Sequence, residues 1–200
     1  MTLEEIKKLL GNKTVGIAGC GGLGSNCAVA LARVGVGRLI IADFDVIVGS
    51  NLNRQYFFYD QIGEKKVFAL AENIHRINPL TQVIPLDLKL GQNEIASVFA
   101  GCDVIIEAFD LAEMKEMLIE TVASQLPSIP LIVGNGMAGF GKSNQLRVEK
   151  LSNNLFVCGD GCNEISTEEP PLAPRVGIVA NMQANLALQI LSGNLNLDEL

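Results

Sequence analysis

The chain has 200 residues, 48% of them hydrophobic and 18% charged, with a formal net charge of −7. That length suits one domain, 1–200, around one sizeable core. The acidic balance argues against nonspecific nucleic-acid binding and against docking on anionic lipid. No apolar run is long enough for a membrane span, and the charged start MTLEEIKKLL lacks the apolar stretch of a signal peptide, so a cytoplasmic protein is expected. Cys20, Cys27, Cys102, Cys158 and Cys162 are too few for a disulfide framework in a chain of this length and are read as reduced thiols.

In chain order, short apolar runs alternate with helical periods, the pattern of βαβ units. A strand is expected over 15–18, a glycine loop over 19–24, a helix to about Arg33 and a second strand over 39–42. Residues 44–60 read as irregular. A helix from about Gly63 ends at Asn78-Pro79, because proline cannot extend it. Strands follow at 83–86 and 103–108, a helix at 111–125 and a fifth strand at 129–133. The short runs 145–148 and 155–157 read as antiparallel edge strands. Segment 158–174 is polar and proline-bearing, and its length marks it as a functional crossover-type loop. Val176, Val179, Gln183, Leu186 and Ile190 keep a helical period to the end. The fold class is therefore α/β: a Rossmann-like, mostly parallel sheet flanked by helices.

Gly19-Cys20-Gly21-Gly22-Leu23-Gly24 fits G-x-G-x-x-G between a strand and a helix. Such glycines permit the tight turn and let backbone N–H groups approach phosphate at the positive helix end. Asp43, closing the second strand, is suited to accept hydrogen bonds from a ribose. The motif marks a nucleotide site without separating NAD, FAD and ATP. A close helix–strand crossing without ligand is the plain alternative.

The residues after Asp43 narrow the choice. D-F-D at 43–45, S-N-L-N-R-Q at 50–55 and I-G-E-K-K at 62–66 resemble the ThiF/MoeB/HesA family of carrier-protein-activating enzymes, whose relatives include the ubiquitin-activating enzymes. The similarity runs from about Thr14 to Ser192. The short chain looks closest to the compact ThiF-like proteins of bacterial thiamine biosynthesis. The resemblance implies ATP-dependent adenylylation of the C-terminal glycine carboxylate of a small sulfur-carrier protein ending in Gly-Gly, and it implies a homodimer.

Residue chemistry agrees with that implication. A carboxylate attacking the α-phosphate needs no general base, only fixed cations, a metal and accurate positioning. Arg54 is a candidate fork onto phosphate oxygens, with Asn51 holding the loop or the same phosphates; an ordinary surface arginine is the alternative. Helical phase separates the two lysines. With Val67, Leu70, Ile74 and Ile77 as the core face, Lys66 falls about 60° from its centre and Lys65 nearly opposite, and the resemblance also assigns the phosphate-binding lysine to Lys66. It assigns Mg²⁺ binding to Asp110. A cap on the next helix, in a box with Glu113, is the alternative for that residue.

Three features depart from the family pattern. The sequence Glu107-Ala-Phe-Asp110-Leu111 replaces D-x-x-D-N. Only Cys158-Gly-Asp-Gly-Cys162 stands where many relatives carry two C-x-x-C pairs, so zinc is not expected. Larger relatives donate an arginine from an N-terminal helix, whereas residues 1–11 hold only Lys7 and Lys8. Cys158 and Cys162 match a loop whose cysteine, in some relatives, joins the carrier covalently; plain loop thiols are the alternative. The lone His75 reads as a hydrogen-bonded structural residue. An NAD-binding oxidoreductase, favoured by the glycine loop alone, and a noncatalytic scaffold remain the competing functions. Activation of a tRNA-linked carboxylate is a related enzyme reading, against which the acidic charge counts.

Overall fold

In the computed structural model, which describes residues 1–162 and 166–196, the apolar runs pair into one sheet. Its strands are β1 (Thr14–Ala18), β2 (Arg38–Asp43), β3 (Gln82–Asp87), β4 (Val104–Glu107), β5 (Leu131–Asn135), β6 (Arg147–Lys150) and β7 (Leu155–Gly159). The spatial order is β3-β2-β1-β4-β5-β7-β6. All neighbours run parallel except β6, which lies antiparallel to β7 at the edge. The helices are α1 (Leu3–Leu10), α2 (Gly22–Arg33), α3 (Lys66–Ile77), α4 (Gln92–Phe99), α5 (Ala112–Gln125) and α6 (Ala173–Leu191).

The central strands are apolar on both faces because helices cover both. Ile17, Leu39 and Ile41 pack with Leu31, Ile74 and Val179 of α2, α3 and α6. Their chain neighbours Ala18 and Ala42 point the other way and pack with Phe99 and Leu118 of α4 and α5. This is the period-2 alternation of a pleated strand. From β1 the chain steps outward through β2 to β3, then returns to lay β4 on the other side of β1. The strand order thus reverses between β1 and β4, and the crevice beyond their carboxyl ends is where open α/β sheets bind ligands.

Several expectations are corrected. Helix α4 was not anticipated. Helix α3 starts at Lys66 rather than near Gly63, since residues 49–51 and 59–61 form short 3-10 turns and Gly63 itself turns at φ +97° between the extended Ile62 and Lys65. The expected short antiparallel pair does lie at one edge of the sheet, with β6 outermost, but β7 also joins β5 as a parallel strand. Consequently Cys158 is strand rather than loop, and Pro174 already lies in the first turn of α6. The segment between β7 and α6 is therefore 160–172, of which 163–165 lie outside the described residues. His75 is exposed near the end of α3, and no side-chain hydrogen bond holds it among the described residues.

The turn from β1 into α2 depends on Gly24. A Cβ there would sit 1.9 Å from the carbonyl oxygen of Gly19, a backbone atom that cannot step aside. A Cβ on Gly49 meets nothing within 4 Å. Urea unfolding of Gly24→Ala should therefore show a loss of at least about 2 kcal/mol, from steric overpacking, whereas Gly49→Ala should change stability by less than about 0.5 kcal/mol. Equal effects would mean that α2 does not need this close approach.

Candidate active site

A cavity of about 300 Å³ opens where β1, β2 and β4 end. Gly19, Gly21, Gly22, Asp43, Arg54, Lys66 and Asp110 line it, while Gly24 and Asn51 do not. Gly19 turns at φ +99° with its Cβ direction 2.7 Å from the Ala108 carbonyl oxygen, so only glycine fits. Gly21 caps α2 without any side-chain bond. The first-turn N–H groups thus lack the partner a capping side chain would supply, as at a helix terminus built for an anion.

Asp43 is held from two sides. Its Oδ2 accepts the N–H of Cys20 at 2.7 Å and its Oδ1 that of Asp45 at 2.8 Å. Each oxygen keeps a lone pair, so the carboxylate is aimed and still able to accept from a ligand. Beyond it, Phe44, Leu88 and Leu90 make an apolar end to the cavity, and the ammonium of Lys89 lies 5.7 Å above the Phe44 ring.

The cations come from the segment after β2 and from the start of α3. The Arg54 guanidinium donates through Nη1 to the Ser50 carbonyl at 3.2 Å and to Asn53 Oδ1 at 2.8 Å, leaving further donors. Asn51 holds the loop: its Oδ1 accepts the Val48 N–H at 3.1 Å. Lys66 is 6% exposed and its Nζ lies 2.6 Å from Asp45 Oδ2. Lys65 turns away, donating to the Phe44 carbonyl at 2.7 Å and to Asp87 at 2.9 Å. Asp45, which neutralises Lys66, was not singled out from the sequence.

Asp110 stands exposed at the rim beside Glu113, and both line the cavity. The anticipated capping box between them does not form, because α5 begins at Ala112 with Leu111 at its cap position and no side-chain bond there. Behind Asp110, Glu107 is fully buried, takes the N–H of Phe109 at 2.7 Å and pairs with Lys115. Burial raises the carboxyl's pKa, and Lys115 with the backbone N–H groups opposes that rise. Lys115 also donates to the Gly134 carbonyl at 2.9 Å, tying β4, α5 and β5 together. No sequence period links positions 107 and 115, which meet across a turn.

The two loop thiols separate. Cys158 is fully buried in β7, and burial pushes its thiol up to about 12, so it presents no nucleophile to a partner. Cys162 is exposed, its N–H bonded to Asp160 Oδ1 at 2.9 Å. Asp160 in turn pairs with the buried Arg175 of α6, a link that neither residue's sequence context announces. At the loop's other end, Pro171 reaches the cavity wall and its carbonyl accepts from Asn53 Nδ2 at 3.2 Å.

Lys115→Ala would leave the Glu107 carboxylate buried without its cation, a change that costs about 3 kcal/mol or more. Adding Glu107→Gln removes the stranded charge and should restore part of the loss. Denaturation of the single and double variants checks this; a double variant less stable than Lys115→Ala alone would contradict it.

The chain matches the ThiF family over residues 2–199. It is 28% identical over 195 residues to the molybdopterin-synthase adenylyltransferase of Escherichia coli K12, covering 94% of this chain and 76% of that protein. It is 30% identical over 199 residues to the sulfur carrier protein ThiS adenylyltransferase of the same organism, covering 96% and 77%. To the tRNA threonylcarbamoyladenosine dehydratase of Bacillus subtilis it is 34% identical over 151 residues, covering 74% and 59%. The fold superposes on the Escherichia coli tRNA N6-threonylcarbamoyladenosine dehydratase, solved in complex with ATP, with a TM-score of 0.86 at 22% identity, covering 95% of this chain and 90% of that one. With the family matched across nearly its whole length, this chain is a member of the ThiF family.

Proposed function

We propose that this protein is an ATP-dependent adenylyltransferase. Its substrate is the C-terminal glycine carboxylate of a small ThiS-like sulfur-carrier protein ending in Gly-Gly, in thiamine thiazole biosynthesis. One observation carries the reading: Arg54, Lys66 and Asp110 meet the glycine loop and Asp43 in a single cavity. The named activities of the Escherichia coli relatives support it.

A carboxylate oxygen of the carrier attacks the α-phosphorus of ATP, the bond from that phosphorus to the bridging oxygen breaks, and pyrophosphate leaves with the electron pair. The product is an acyl-adenylate. The nucleophile is already ionised at neutral pH, so the residues' work is to hold two anions together. Gly21, Gly22 and the α2 N-terminus cradle phosphate, Asp43 orients the ribose, and Arg54 and Lys66 offset the charge. Lys66 starts from its Asp45 pair, so incoming phosphate competes with a carboxylate already in place. Asp110, with Glu113 beside it, fits Mg²⁺ of the kind bound by one or two carboxylates plus phosphates; among the described residues no three His, Cys, Asp or Glu side chains form a cage. Bound there, the ion supplies further neutralisation of the leaving group.

The loop 160–172, which reaches the cavity through Pro171, is assigned to the path of the carrier's tail, with Cys162 as the thiol available for a covalent link. Assembly as a homodimer is supported by Val46, Val48, Tyr59, Ile62 and Phe68, which expose large apolar side chains close together in sequence. No helix among the described residues is long and apolar enough to cross a membrane, and we assign the reaction to the cytoplasm.

A second reading is activation of a tRNA-linked carboxylate. The Bacillus subtilis dehydratase likeness favours it, and the net charge of −7 speaks against it.

ATP–pyrophosphate exchange tests the proposal. Wild-type protein should exchange in the presence of a Gly-Gly carrier. Lys66→Ala should lower the rate at least about a hundredfold, the cost of losing a cation aimed at the reacting phosphates, while Lys65→Ala stays within about threefold. Exchange stimulated by tRNA alone would favour the second reading, and absence of exchange with every acyl substrate would favour a noncatalytic scaffold.

A further inference from the structure

Gln55 has no role in the account so far, yet it is 8% exposed and lines the same cavity. Its backbone is fully engaged: the N–H donates to the Asn51 carbonyl and the carbonyl accepts from Phe57, each at 2.9 Å. Its neighbours are clamped from α2. Asn26 Nδ2 donates to the Arg54 carbonyl at 2.8 Å, and the Tyr56 N–H donates to Ser25 Oγ at 2.9 Å. The same two side chains also hold the glycine loop, Ser25 Oγ donating to the Gly21 carbonyl at 2.6 Å and Asn26 Nδ2 to that of Gly22 at 2.7 Å. Two consecutive residues of α2 therefore fix Gln55 relative to the glycine loop.

The side-chain amide stands out against this. Its Oε1 is buried with no partner, which is costly for a carbonyl and rare in settled cores. Its Nε2 lies 3.7 Å from where a Cβ of Gly21 would project, so the missing side chain at Gly21 leaves that amide facing the cavity. The chain neighbour of Gly21, Cys20, gives its N–H to Asp43. Gln55 thus meets the loop at Gly21, next to the residue that anchors Asp43, where on the proposed reading the ribose and first phosphate would join.

Phosphate oxygens only accept hydrogen bonds. An amide with nitrogen toward the cavity leaves one acceptor orphaned inside. The flipped amide would orphan two donors and aim lone pairs at an anion, so a phosphate selects the first orientation. Being neutral, the amide can donate to phosphate without pairing with the incoming carboxylate. We propose that Gln55 is a ligand-contact residue that donates an Nε2 hydrogen to a nonbridging oxygen of the α-phosphate. The assignment rests on the adenylation reading.

Binding of adenosine, AMP and ATP to wild type, Gln55→Met and Gln55→Glu, measured by calorimetry, tests it. Methionine keeps the length and apolar stem, removes both polar atoms and leaves no orphan, so it should fold; an unchanged melting temperature checks this. Glutamate keeps the shape and replaces the donor with a charge. Gln55→Met should weaken AMP and ATP alike by about tenfold, the loss of one hydrogen bond to a charged group, and adenosine by less than twofold. Gln55→Glu should weaken AMP and ATP further. Equal weakening of all three ligands, weakening of ATP alone, or no weakening in a wild type that binds them overturns the α-phosphate contact and leaves the adenylation reading standing. A wild-type protein that binds none of the three overturns both.

Discussion

The carbonyl of Gly19 lies where a side chain on Gly24 would otherwise be, and this contact lets α2 rise directly from the end of β1. Everything at the site follows from that approach. It brings the N-terminus of α2 to the switch point between β1 and β4. It also carries Ser25 and Asn26 close enough to hold the segment 54–56 by hydrogen bonds. Arg54 and Gln55 are thus positioned by the same helix that offers its N–H groups to phosphate. A bulkier residue at position 24 would displace the loop, the helix and the arginine segment together.

The second organising feature is charge held in reserve. Acidic side chains at Asp43, Asp45, Asp110 and Glu113 share the cavity with Arg54, Lys66 and Lys89. Lys66 is nearly buried and would be costly to leave unpaired; Asp45 pairs with it and holds it in place. In the proposed reaction, phosphate would replace one anion by another at that ammonium, so the site would change partners instead of desolvating a free charge. Behind the rim, the Glu107–Lys115 pair does the same service for the turn that carries Asp110.

The strands, the glycine loop and Asp43 were legible because each rests on local pattern: period-2 burial, glycines at a strand–helix turn, an acid at a strand end. Lys65 and Lys66 do point apart as expected, but not through helical phase, because Lys65 is the extended cap residue outside α3 and only Lys66 lies in the helix. What escaped the sequence depends on distant packing. Helix α4 spans Gln92–Phe99 and buries only Ile95 and Phe99, too short a period to stand out. Cys158 looked like loop because polar residues follow it, yet pairing with β5 draws it into the sheet. Asp110 and Glu113 have the spacing of a capping box, but the helix starts after Leu111 and the box is out of register. Gln55 and Lys115 gain their significance from partners far away in the chain or from the lack of one, which no local pattern encodes.

The central claim is that this crevice takes ATP and not a nicotinamide dinucleotide. Both ligands carry an adenosine suited to Asp43, so on the proposed reading the distinction lies in the phosphates assigned to Arg54 and Lys66. The most direct measurement is the melting temperature with Mg²⁺ and equal concentrations of ATP or NAD⁺, since at a fixed concentration the ligand that binds the folded state more tightly raises it more. The account predicts a clear rise with ATP and a much smaller one with NAD⁺. A larger rise with NAD⁺ would contradict it.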